Sequence, residues 1–174
     1  MKQLIIFLIL INTLFSSIVN AQALPEYTLK TAYLYNFALL TDWPEDEQSE
    51  DNQSNDFNIC FYQKDFGESS DVLENKKFHN KKIKVSTIST LKEAKECKIV
   101  FIRKNQEVRG KKLIQELLGE HILIVSENQN LTDSHITISQ ENHKLAFDVS
   151  LKTLKKSDLA VSSRLLKLAR KVKQ

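Results

Sequence analysis

Apolar positions fall along this chain in three kinds of run, and each predicts a different element. Leu29, Tyr33, Phe37 and Leu40 recur at helical spacing, thickened by Tyr27, Tyr35 and Ala38, and predict a helix from Pro25 to about Asp42. Pro25 suits its first position and Glu26 suits the positive end of its dipole. Trp43-Pro44 ends it, because the residue before a Pro is biased away from the helical region. Short apolar runs predict strands at Phe57–Tyr62, Lys82–Ile88, Lys98–Arg103, His121–Ser126, His135–Ser139 and Lys144–Val149. Helical stretches separate the first four: Asp65–Glu74, Leu91–Glu96 and Glu107–Leu118. Thr90 and Glu93 are spaced as a capping box for the second, and Gly119 is placed to end the third.

Strands alternating with helices predict an α/β fold. We expect a three-layer sandwich: a mostly parallel sheet of five to six strands with helices on both faces. The runs IVFI and ILIV are apolar throughout, as central strands covered on both sides should be. Gln140–His143 is too short for a crossover, so one antiparallel element should lie near the edge. After the last strand, Ser150 caps a short helix through Lys156. A longer helix then starts at Ser157 or Asp158, with Val161, Leu165, Leu168 and Val172 as its apolar stripe.

The third kind of run is Leu4–Val19, preceded by Lys2 and followed by the small residues Ala21 and Ala23. This layout predicts a cleavable secretory signal over residues 1–21, with an alternative cut at 23. Read as an uncut anchor, the run of about 16 residues is at the short edge of what spans a bilayer. Residues 25–174 then form a single domain, large enough for its own core. Residues 45–56 hold no apolar side chain and predict a solvated loop.

The formal net charge is +3, and loss of Lys2 leaves +2. So even a balance gives no reason to expect nucleic acid as a partner. Two Cys, Cys60 and Cys97, in an exported chain suggest one disulfide; two buried free thiols are the alternative.

Catalytic patterns are missing. Gly67, Gly110 and Gly119 form no phosphate-cradling loop. His79, His121, His135 and His143 stand without metal-ligand spacing, and His121 and His135 read as half-exposed residues at strand starts. Ser126, Ser162 and Ser163 lie outside any nucleophile elbow. Gln63 and Lys104 end strands where a receiver domain needs acids. No cofactor is implied. Asp148 is the sharpest oddity: it interrupts the strand LAFDV and is either solvent-facing or paired with a base such as Arg164.

Several stretches together resemble the YfiR-like periplasmic proteins. They are EYTLKTAYLYNFALLTDWP at 26–44, FNICFYQKDFG at 57–67, CKIVFI at 97–102, FDVSL at 147–151 and LAVSSRLLKLARKV at 159–172. The chain departs from the family pattern in having Thr132-Asp133-Ser134 where a Gly-Gly turn is common. It also has Asp148 and Ser150 where Glu and Asn are common. The resemblance implies a non-enzymatic regulator in the periplasm of a Gram-negative bacterium. Such a protein would bind the periplasmic domain of a membrane-bound diguanylate cyclase and repress cyclic-di-GMP synthesis. It further implies a homodimer, an outer-membrane lipoprotein as second partner, and Cys60 and Cys97 at the family's disulfide positions. Asp148, Ser162 and Arg164 are the expected partner surface. The competing expectation is a small-molecule binding module, with a pocket at the strand ends near Gln63, Lys104 and Ser126.

Overall fold

The run Ile99–Ile102 dictates the layering. All four residues are buried; Ile99 and Phe101 enter one core, while Val100 and Ile102 enter another. A strand apolar on both faces needs cover on both. The computed structural model describes residues 26–44, 56–141 and 144–174. The predicted signal segment 1–21, most of the acidic stretch (45–55) and His143 lie outside the described residues.

The elements in chain order are α1 (Glu26–Leu39), β1 (Thr41–Asp42), β2 (Asp56–Tyr62), α2 (Glu68–Asp71) with a 3-10 turn (Val72–Asn75), β3 (Lys77–Phe78) and β4 (Lys81–Ile88). There follow α3 (Leu91–Ala94), β5 (Ile99–Ile102), α4 (Glu107–Leu117), β6 (Leu123–Ser126), β7 (Ile136–Glu141) and β8 (Lys144–Ser150). The chain closes with α5 (Leu151–Lys156), β9 (Ala160–Val161), α6 (Ser163–Leu168) and β10 (Lys171–Lys173).

The main sheet has eight strands in the order β10-β8-β7-β6-β5-β2-β4-β3. It is mixed: β7–β8 and β3–β4 pair antiparallel, and the other neighbours pair parallel. β1 and β9 form a separate antiparallel pair. The expected five to six strands fall short because the outermost ones are too brief to carry a period. β3 and β10 span two and three residues, mostly Lys. Short, charged edges also deter pairing with another chain.

Leu34, Phe37 and Ala38 of α1 cover one face of the sheet, packing with Phe61, Phe101, Val125 and Phe147. Ala94 of α3 and Leu113, Ile114 and Leu117 of α4 cover the other. Each such fully buried Leu, Ile or Phe contributes about 1.5–3 kcal/mol relative to exposure. α4 approaches β5 through Gly110, where an added Cβ would sit 2.9 Å from Ile102 Cγ2 and 3.1 Å from Leu131 Cδ1. The capping box at α3 forms as its spacing predicts: Thr90 Oγ1 accepts from Glu93 N–H, and the Glu93 carboxylate accepts from Thr90 N–H. Those backbone bonds from Ser89 and Thr90 hold the Glu93 carboxyl below its ordinary pKa.

Three expected helices differ. The one expected over Asp65–Glu74 starts only at Glu68 and becomes a 3-10 turn from Val72. α1 stops at Leu39, and Thr41–Asp42 extends to pair with β9. Its buried stripe is Lys30, Thr31, Leu34, Phe37 and Ala38, turned from the expected one, with Leu29, Tyr33 and Leu40 only partly buried. The long C-terminal helix is broken. Asp158 takes a positive φ of 50°, β9 follows, and Ser162 caps α6, its Oγ accepting from Leu165 N–H at 3.3 Å. Val161, Leu165, Leu168 and Val172 suit a helical period, yet Ser157-Asp158 and Ser162-Ser163 offer competing caps. The tail then pairs with β8, Lys171 opposite Asp148.

Candidate functional site

The carboxyl ends of β5, β6 and β7 meet the first turns of α1 and enclose a cleft of about 610 Å³. In an open α/β sheet this end of the strands is where ligands bind. Three segments build the walls: Arg103–Asn105 after β5, Glu127–Asn130 after β6, and Ile138–Gln140 on β7. Glu26, Tyr27 and Lys30 of α1 close the fourth side.

Lys30 anchors the floor. It is 5% exposed, because its position on the inner stripe of α1 carries it under the sheet end. Its ammonium pairs with both Glu26 and Glu127. Burial alone would lower the Lys30 pKa, but the two carboxylates outweigh that cost and the net shift is upward. Lys30 is therefore a fixed cation. Arg103 is fixed as well. It donates to the Asp65 carbonyl at 3.1 Å and to Tyr27 Oη, and stacks near the Tyr27 and Phe66 rings. Glu127 also accepts the Lys104 N–H at 3.0 Å, and Arg103 Nε lies 3.7 Å from it.

Asn128 ties the rim together. Its amide donates to the Lys104 carbonyl at 2.8 Å and to Glu107 at 3.3 Å, and Asn130 donates to the same carboxylate at 2.8 Å. These side-chain bonds from Asn130 and Asn128 hold the Glu107 carboxyl below its ordinary pKa. The pocket expected near Gln63, Lys104 and Ser126 is thus only partly as the strand ends suggest. Lys104 lines the cleft. Ser126 is buried beside it, bonded to the Asn128 carbonyl at 3.3 Å and to Ser134 at 2.9 Å. Gln63 lies outside it.

A second region gathers the expected partner-surface residues around β8 and the tail. Asp148 is 8% exposed, and its partner is Arg170, not Arg164. Arg170 also reaches Glu141 on β7. Ser162 serves as the cap of α6. Arg164 is exposed and makes no ion pair among the described residues. Beside it on α6, Leu168 is 65% exposed.

On the far face, Cys60 of β2 and Cys97, two residues before β5, are joined in a disulfide inside the second core. The other reading, two free thiols, does not hold. His135, expected half-exposed, is wholly buried. It donates its backbone N–H to the Ile124 carbonyl at 3.0 Å, and its Nδ1 accepts from Ile124 N–H at 2.9 Å. Burial pushes its pKa down to about 4, opposed only in part by the Thr153 backbone. His121, by contrast, is surface-exposed near Asp158.

Lys30 and Glu127 are the residues that sequence reasoning missed. One signal was present: Glu26 and Lys30 are four apart, and Lys30 shares a helix face with Leu34 and Phe37. Nothing in the sequence joins Lys30 to Glu127, 97 positions away.

No protein of curated function is detectably similar to the chain. Among solved structures, a conserved domain protein from Vibrio cholerae has a similar fold, with a TM-score of 0.52 and 7% identity. The match covers 84% of this chain and 60% of that one, so the chain spans less than two thirds of its length. A family model for YfiR/HmsC-like proteins matches residues 27–170, nearly everything the structure describes, and the chain belongs to that family.

Proposed function

We propose that the protein represses cyclic-di-GMP synthesis by binding the periplasmic sensor domain of a membrane diguanylate cyclase. The observation that carries this reading is the family match across residues 27–170, since the family works with such a cyclase. In this reading residues 1–21 are a signal peptide and the mature domain acts in the periplasm. Any effect on a cytosolic messenger then passes through the membrane partner. A homodimer and an outer-membrane lipoprotein that sequesters the repressor belong to the same proposal.

The contact surface is α6 with the β8–β10 edge. Asp148 and Ser162 act there by positioning: one holds the tail through Arg170 and the other caps α6. Arg164 and Leu168 are the exposed groups that meet the partner. Leu168 would bury apolar surface against a partner, and Arg164, which makes no ion pair among the described residues, is of a type enriched at interfaces.

Deletion of the gene tests the function, and a surface variant tests the site. Cyclic-di-GMP and surface attachment should rise in the deletion strain. Wild type should restore them, whereas Arg164→Glu with Leu168→Asp should not, despite an unchanged thermal melt. Unaltered messenger levels on deletion, with no membrane cyclase recovered by crosslinking, would overturn the proposal.

A further inference from the structure

We propose that the cleft at the carboxyl ends of β5, β6 and β7 binds a small, singly anionic, polyhydroxylated molecule of the sugar-acid class. The size is right for such a ligand: about 610 Å³ falls inside the range of small-molecule sites. The walls are mostly polar, with the Tyr27 ring as their main non-polar contribution, so a lipid or other apolar ligand gains little there.

Charge narrows the class. Lys30, Arg103 and Lys104 face Glu26 and Glu127, leaving one positive charge in excess. Both carboxylates are committed to Lys30, and Glu127 also takes the Lys104 N–H and sits beside Arg103. A ligand's ammonium group would have to compete with the enclosed Lys30 for these carboxylates, which argues against amines and amino acids. Arg103 is committed to the Asp65 carbonyl and Tyr27. The Lys104 ammonium has no partner among the described residues and is the group that receives a ligand carboxylate.

The neutral groups supply the rest. The side-chain amides of Asn105, Gln129 and Gln140 line the cleft without partners among the described residues. Amides both donate and accept, as hydroxyls do. Ser139 is the most telling. It lines the cleft at 7% exposure, and its hydroxyl is buried with no hydrogen-bond partner. A buried hydroxyl left unpaired is destabilising, and a ligand hydroxyl removes that penalty on binding. The salt-bridged floor is already rigid, so little ordering accompanies association.

Calorimetry on the purified chain with glucuronate, galacturonate and gluconate tests the proposal, with glucose and acetate as controls. At least one sugar acid should bind at millimolar concentration or below, at least about tenfold tighter than either control. Lys104→Ala should weaken it by roughly tenfold. Ser139→Ala should also weaken it while leaving the ligand-free melting temperature unchanged or higher, since the orphan hydroxyl is gone. Three outcomes overturn the assignment: no sugar acid binds, acetate binds as well as they do, or neither substitution changes the affinity. The measurement uses no cyclase, so it stands or falls separately from the repressor reading.

Discussion

Arg170 grips Asp148 with two parallel hydrogen bonds, Nε to Oδ1 at 2.9 Å and Nη2 to Oδ2 at 2.8 Å. The carboxylate is almost fully enclosed, and the bond fastens the C-terminal strand to β8. Charge-assisted, two-pronged pairs are the strong ones, and removing one partner strands the other. Asp148→Ala and Arg170→Ala should each cost about 2 kcal/mol in denaturant unfolding. Their double mutant should show a coupling of at least about 1 kcal/mol. Arg164→Ala should stay within about 0.5 kcal/mol. Equal losses at Arg164 and Arg170 would contradict the pairing.

Elements that burial or a local cap writes into the sequence differ from those that exist only through distant partners. The six longer strands, β2 and β4 to β8, were legible: β5 and β6 are buried on both faces, and the others hold enough buried apolar positions to mark a strand. So was α3, whose capping box is a local signal. β1, β3, β9 and β10 were not, since two or three residues carry no period and exist only through their partners. The C-terminal helix misled because a spacing of three and four is helical in form, while its breaks lie in Ser and Asp side chains. The site was half legible. Strand ends pointed to Lys104, but Lys30 and Glu127 meet only after the whole sheet has formed.

The Cys60–Cys97 disulfide closes a loop spanning 37 positions between two neighbouring parallel strands. By the chain-entropy account, such a loop contributes about 4 kcal/mol, chiefly by restricting the unfolded chain. Replacing both Cys with Ser should lower unfolding free energy by an amount of that order. Purified protein should label with a thiol reagent only after denaturation and reduction. Full labelling of the untreated protein would show that the bond does not form.

Gly110 is a packing glycine, not a turn glycine. Its side lies against Ile102 and Leu131, both buried, and a methyl group there would meet Ile102 at 2.9 Å. Alanine normally favours a helix over glycine by up to about 1 kcal/mol. Here overpacking should win, so Gly110→Ala should destabilise by about 1–3 kcal/mol. A rise in the melting temperature would mean that α4 can shift outward at little cost.

His135 makes stability depend on pH through a bond that only the neutral ring can make. Nδ1 accepts the Ile124 N–H, so a proton on Nδ1 would break the link and place a charge in the core. Burial accordingly pushes its pKa down to about 4, whereas an unfolded chain titrates near the ordinary His value of about 6.5. Above that ordinary value neither state binds the proton, and the stabilisation is fully present. As pH falls toward 4, the unfolded chain binds a proton that the folded one refuses, so stability is lost through that window. Between pH 7.5 and pH 5, the loss attributable to this ring should be about 2 kcal/mol. Urea unfolding at the two pH values measures it, with His135→Asn as control, because an amide oxygen can still accept from Ile124 but does not titrate. If the variant loses as much stability on acidification as the wild type, the dependence comes from other groups.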